Sequence, residues 1–285
     1  MNAPKNEDAN TNSIIISGGE KGGVGKSFFT KCLLSYFESK QWQEQFLLIE
    51  ADPTISDVSQ VFRDNYEKVV FSDNKFDFDE PNIIIDKLIK KTTIVNLPSN
   101  VSRQFEDWSN RIGIFSPELK KYYKEINYFF VTDGCYHSIQ QFLLHLDKYK
   151  DSGMNNCLVL NSGRLTCGGN FTYLQKYEPF IHKIQQYNIP IIALPELSST
   201  YQFNCDMGNL SYNEYLNKPN IGITEKSAMA NFLRQLNDLF EKIFPHQVAS
   251  AEGLPKIIDE QAKDRKAGKV TIGAKDSKTR LMRLL

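Results

Sequence analysis

Ser13-Ile14-Ile15-Ile16-Ser17-Gly18-Gly19-Glu20-Lys21-Gly22-Gly23-Val24-Gly25-Lys26-Ser27 is the stretch on which the fold turns. Its first five residues form a short run rich in β-branched side chains, which reads as a strand buried on both faces. Glycines follow, and apolar residues at 28, 29, 32, 33, 34, 36 and 37 then keep helical spacing over 27–40. Strand, glycine-rich turn and helix in that order begin a βαβ unit.

The pattern repeats along the chain. Strand-like runs recur at 46–49, 93–97, 128–131, 157–160 and 189–194, with helical stretches between them, notably at 99–110, 138–149 and 173–187. Strands separated by helices of this length predict right-handed crossovers and an α/β fold. The expectation is a mostly parallel, twisted sheet of six or seven strands with helices on both faces, a three-layer α/β/α arrangement. Beyond residue 194 the strands stop. A short helix is expected at 211–216 and a long one at 224–244, where Ala228, Met229, Phe232, Leu233, Leu236, Leu239, Phe240 and Ile243 line one face before Pro245.

The 285 residues suffice for one large domain, and 41% hydrophobic with 12% aromatic residues is enough for a substantial core. Lys/Arg and Asp/Glu balance at 34 each, so the chain lacks the basic excess of a dedicated nucleic-acid binder. Residues 256–285 carry nine Lys/Arg against four Asp/Glu, leaving the body mildly acidic. Three parts follow: a disordered polar leader (1–12), one α/β domain (13–248) that contains the glycine-rich loop, and a basic C-terminal tail (249–285).

Five cysteines without metal-ligand spacing read as reduced thiols, and four dispersed histidines suggest no metal site. No run approaches a membrane span and the N-terminal residues do not resemble a signal peptide, so a cytoplasmic protein away from membranes is expected. The spacing of a dinucleotide fingerprint is missing, as are a nucleophile elbow and an HExxH helix.

The loop at 20–27 carries the chemistry. Between a strand and a helix it aims backbone N–H groups and the positive end of a helix dipole at one point, as a polyphosphate requires. Gly22, Gly23 and Gly25, with Val24 among them, let the backbone approach phosphates. Lys26 would place its ammonium on the β/γ-phosphates, and Ser27 would give its hydroxyl to Mg²⁺. A strict phosphate-loop pattern wants glycine where Glu20 stands. KGGVGKS with its second lysine, Lys21, resembles instead the deviant Walker A loop of the ParA/MinD family of P-loop ATPases. The resemblance implies that Lys21 crosses a dimer interface to phosphates bound by a partner subunit.

Further segments resemble the same family in the same order. LLIEADPT (47–54) is similar to its DxDP segment; Asp52 would contact the metal and orient the attacking water, while Glu50 stands in place of the first aspartate. IVNLPS (94–99) is similar to the second switch, but Asn96 replaces the aspartate, which implies slow or partner-dependent hydrolysis. LVLNS (158–162) resembles the strand whose terminal asparagine, here Asn161, reads the adenine edge. IALPEL (192–197) resembles the segment that touches the base, through Pro195 and Glu196.

The resemblance therefore implies ATP and Mg²⁺ as ligands, an ATP-dependent homodimer and weak ATPase activity stimulated by a protein partner. The basic tail reads first as a solvated end, second as a nonspecific contact for DNA phosphates, and third, through RLMRLL (280–285), as a short membrane or partner anchor. With about a dozen residues before the first strand, a small stand-alone member is expected, in plasmid or DNA partition, positioning or DNA transfer. Two other readings stay open: a pseudo-ATPase interaction module, which Asn96 favours, and an ATP-dependent metabolic ligase on the same scaffold.

Overall fold

The computed structural model describes residues 12–52, 57–164 and 171–244. Among the described residues seven strands form one sheet: β1 (Ile14–Gly18), β2 (Phe46–Glu50), β3 (Tyr66–Lys68), β4 (Thr92–Asn96), β5 (Ile126–Thr132), β6 (Asn155–Asn161) and β7 (Ile191–Leu194). Their order is β3-β2-β4-β1-β5-β6-β7, and every pairing is parallel. The helices are α1 (Lys26–Ser39), α2 (Ile83–Asp86), α3 (Ser102–Ile112), α4 (Pro117–Lys120), α5 (Tyr136–Tyr149), α6 (Glu178–Tyr187), α7 (Ser199–Gly208), α8 (Tyr212–Leu216) and α9 (Ile223–Ile243).

Both faces of the sheet are covered, which is why its strands read as continuous apolar runs. Side chains alternate along β1: Ile14 and Ile16 join a core with Phe105 and Trp108 of α3, Phe142 and Leu146 of α5, and Phe180 of α6. Ile15 faces the other way, into a core with Phe29, Leu33 and Phe37 of α1 and Met229, Phe232, Leu236 and Phe240 of α9. The six or seven strands expected are seven, in the three-layer α/β arrangement expected.

Local chemistry fixes the boundaries that periodicity left loose. The helix expected at 173–187 is a single 3-10 turn, Thr172–Lys176, followed by α6, because Pro179 favours a first helical turn and disfavours continuation from before it. Asn188 then ends α6 in the left-handed region at φ 50°. β3 went unforeseen because Tyr-Glu-Lys at the sheet edge is half-exposed and carries no apolar run. α7 escaped because Cys205 is its one buried residue, too little for a helical stripe. α8 forms where expected, closed by a reciprocal capping box: Glu214 N donates to Ser211 Oγ (3.1 Å) and Ser211 N to Glu214 Oε2 (2.8 Å). The polar leader up to residue 11 and the basic tail lie outside the described residues. No helix among the described residues is long and apolar enough to cross a membrane.

From β1 the chain runs outward to β2 and β3, returns to β4, then crosses to β5 on the other side of β1. The strand order thus reverses around β1, and the crevice past its carboxyl end is where open α/β sheets hold ligands.

Candidate functional site

The loop 19–25 leaves β1 at this reversal and turns directly into α1. Gly25 caps α1 in the left-handed region, φ 100°, and a Cβ there would run into Asn161 Nδ2. Glycine therefore satisfies both the dihedral and the close approach. Gly23 also has positive φ, 75°, with nothing within 4 Å of where its Cβ would stand. None of the backbone amides of residues 22–27 donates to a backbone carbonyl. A row of uncommitted N–H groups at the start of a fourteen-residue helix is an anion cradle.

Lys26, the first residue of α1, is 7% exposed. Its Nζ donates to Ser99 Oγ (2.8 Å) and to the Lys21 carbonyl (3.2 Å), and it forms no ion pair among the described residues. Burial lowers its pKa to about 8, against the pull of Glu20 and Asp52. A desolvated ammonium held only by neutral oxygens would gain strongly from an anion placed in the loop. Glu20, where the ordinary pattern has glycine, hydrogen-bonds to Ser102 at the start of α3. Burial raises its pKa while hydrogen bonds from the Ser102 amide and hydroxyl lower it. Its carboxylate satisfies an orphan amide in the first turn of α3, and its carbonyl accepts from Asn100 N (3.2 Å). The loop is thereby tied to the segment 97–102 that follows β4.

The ends of β2 and β4 bring Glu50, Asp52 and Asn96 towards Ser27 and Thr30 of α1. Glu50 and Asn96 are register partners on adjacent strands. Asn96 Nδ2 donates to Glu50 Oε1 (2.8 Å) and lies 3.5 Å from Ser27 Oγ, while Thr30 Oγ1 donates to Asn96 Oδ1 (3.1 Å). Asp52 N approaches Glu50 Oε1 at 3.5 Å. Burial pushes the Glu50 carboxyl up to about 7, with the Asn96 hydrogen bond opposing it. Asp52 follows β2 at the rim, immediately before residues 53–56, which lie outside the described residues.

Lys21 is 41% exposed and ion-paired with Asp133, which is buried just past the end of β5; Cys135 Sγ lies 3.1 Å from the same ammonium. The hydrogen bond to Asp133 raises the lysine pKa. Burial would raise Asp133, but the hydrogen bonds of Lys21 and Cys135 outweigh it and hold the carboxyl below its usual range. Lys21 thus has a partner within its own chain.

Asn161 closes the site from β6. It is buried, and its Nδ2 donates to Val24 O (2.8 Å) while Oδ1 has no hydrogen-bond partner. Pro195 and Glu196 follow β7 beside it, Asn161 being in register with Leu194. They share the crevice edge, but no hydrogen bond joins them to the loop.

No family model and no curated protein matches the sequence. Among solved structures the chain is similar to a nucleotide-binding protein from Archaeoglobus fulgidus, solved with ADP and cobalt. Identity is 14% and the TM-score 0.43, over 72% of this chain and 89% of that one.

The residues at the loop fit a phosphate chain: free amides, an unpaired buried ammonium, and backbone that side chains would obstruct. A divalent cation fits only together with such a ligand. The described residues contain no group of three or more His, Cys, Asp or Glu able to hold a metal ion, whereas one hydroxyl, a nearby carboxylate and phosphate oxygens make the usual Mg²⁺ environment. The structure brings Ser27 and Asn96 together beside Lys26, and Asn161 against the loop at Val24 and Gly25. Glu50, Thr30, Ser99 and Asp133 were not singled out as site residues. The Thr-Asp-Gly turn after an apolar run (132–134) was the available signal for Asp133.

Proposed function

We propose that the chain is a Mg²⁺-dependent ATP-binding protein that works as a nucleotide switch of the ParA/MinD-like kind. The observation that carries this reading is the buried Lys26 ammonium, held by neutral oxygens at the mouth of a loop whose amides have no backbone partner. The amides and Lys26 would hold the β/γ-phosphates, and Ser27 Oγ would face the metal. Bound Mg²⁺ would supply positive charge against the phosphates. The unpartnered Asn161 Oδ1 accepts hydrogen bonds, which suits the 6-amino group of adenine and opposes the 6-oxo group of guanine. Asp52 at the rim is the candidate to orient an attacking water. Pro195 and Glu196 would border the base.

Joining of two copies through Lys21 belongs to the same proposal. The lysine would exchange Asp133 for phosphates bound by a second copy, so nucleotide would select between two ion-pair arrangements. A stimulating protein partner, DNA contact through the tail and a role in partition or positioning extend the reading by family resemblance. The pseudo-ATPase alternative has one observation in its favour: Asn96 is neutral, and both ends of its amide are engaged by Glu50 and Thr30.

Light scattering after size-exclusion chromatography, with ATP, ADP or no nucleotide and phosphate release on the same samples, tests the switch. The expected result is a dimer with ATP alone and slow turnover. A dimer with no turnover supports the pseudo-ATPase; a monomer insensitive to ATP contradicts both.

A further inference from the structure

Glu50 is 1% exposed at the end of β2, and its Oε2 is buried without a hydrogen-bond partner. We propose that Glu50 presents Oε2 to the divalent cation of the bound nucleotide, supplying the negative charge that Asn96 lacks, with the Asn96 amide as its positioning group. This inference rests on the nucleotide reading above.

The geometry gives Asn96 a different task from that of a carboxylate. Thr30 Oγ1 donates to Asn96 Oδ1 and so orients the amide, leaving Nδ2 to donate to Glu50 Oε1 at 2.8 Å and to approach Ser27 Oγ at 3.5 Å. The two residues are direct register partners on paired strands. An aspartate at 96 would set two carboxylates against each other; asparagine beside glutamate makes one hydrogen-bonded pair with a single charge. Compared with a carboxylate at the end of β4, the charge has moved one strand over, one hydrogen bond from the Asn96 amide that approaches the Ser27 hydroxyl.

The empty oxygen points to a ligand. A carboxylate buried with half of its acceptor capacity unused is costly, and the cost is relieved when a cation or its water takes up the free oxygen. Mg²⁺ is commonly held by one or two carboxylates, phosphates and retained waters, so one such oxygen beside a loop hydroxyl is a sufficient protein contribution.

The test is ATP affinity by isothermal titration with and without Mg²⁺, on wild type, Glu50→Gln and the double variant Glu50→Gln/Asn96→Asp. Glutamine keeps the acceptor for Asn96 and removes a buried charge, so Glu50→Gln is expected to fold, checked by its thermal melt. The expected result is that Mg²⁺ strengthens ATP binding by wild type. Glu50→Gln should lose roughly tenfold or more of that enhancement while its metal-free affinity holds. The double variant, with the charge returned to β4, should regain most of it. Mn²⁺ binding to the ADP-loaded proteins, followed by paramagnetic resonance, should follow the same order and gives a readout independent of turnover. Full Mg²⁺ enhancement in Glu50→Gln, with wild type binding ATP normally, overturns this inference and leaves the nucleotide reading intact. No ATP binding by wild type overturns both.

Discussion

Asn161 ends β6 with one half of its amide committed to Val24 O and the other half uncommitted. A buried acceptor of this kind discriminates by what it leaves unpaired, since a ligand unable to donate strands it away from water. Wild type should therefore bind ATP more tightly than GTP. Asn161→Ala should narrow that preference by roughly tenfold in competition with a fluorescent nucleotide. At this scale the sequence is legible wherever the proposed chemistry lies within a few residues: the glycines and lysines at 20–27 suggest a phosphate loop by themselves because their pattern is local. Glu20 showed as a departure, but its reason, the first turn of α3, lies some eighty positions away. Asp133 beside Lys21 and Glu50 beside Asn96 were similarly hidden, because sheet order rather than sequence spacing brings them together.

Helix α9 illustrates what could be read at the level of elements. Its apolar positions announced one buried face, and Met229, Phe232, Leu236 and Phe240 occupy it, packed on α1 and the sheet. Phe240 is fully buried against Phe29 and Tyr36, with ring centroids 6.1 and 5.4 Å away. Phe240→Ala should cost about 3–5 kcal/mol in urea unfolding. Because Phe240 packs on Phe29 and Tyr36, which are not among the residues proposed to hold nucleotide, ATP affinity measured on folded protein should change little. α7 and β3 were missed for the converse reason: neither buries an apolar stripe. α7 is instead held by charge, through Lys31 of α1, whose Nζ donates to Asp206 (2.8 Å) and also pairs with Asp57 (3.2 Å). Such cross-chain ion pairs leave no periodic mark.

For the whole molecule, alternation predicted the succession of strands and helices apart from elements such as β3 and α7, while the order of strands in the sheet required the structure. Folding also sets a pH limit on the sheet face covered by α5. His145 packs among Tyr128, Tyr149 and Phe130, with Nε2 2.8 Å from Asn156 Oδ1. Burial lowers its pKa from 6.5 to about 4, against the Asn156 hydrogen bond and with Lys148 adding to the fall. Above pH 6.5 the ring is neutral in both folded and unfolded chains. Between that value and about 4 the unfolded chain binds the extra proton, so stability is lost as pH falls, by at most about 1.4 kcal/mol per unit. His145→Gln should flatten this part of the acid limb in urea titrations run from pH 7 to pH 4; an unchanged slope would mean that the ring titrates normally.

All of these levels meet in the loop between β1 and α1, where a strand end, a helix start and a buried ammonium share one small volume. Calorimetric titration of wild type and Lys26→Ala with ATP and Mg²⁺ tests that convergence most directly. Saturable one-to-one binding by wild type, weakened at least tenfold by the substitution at unchanged thermal stability, is the expected result. Equal affinity in the two proteins would contradict it.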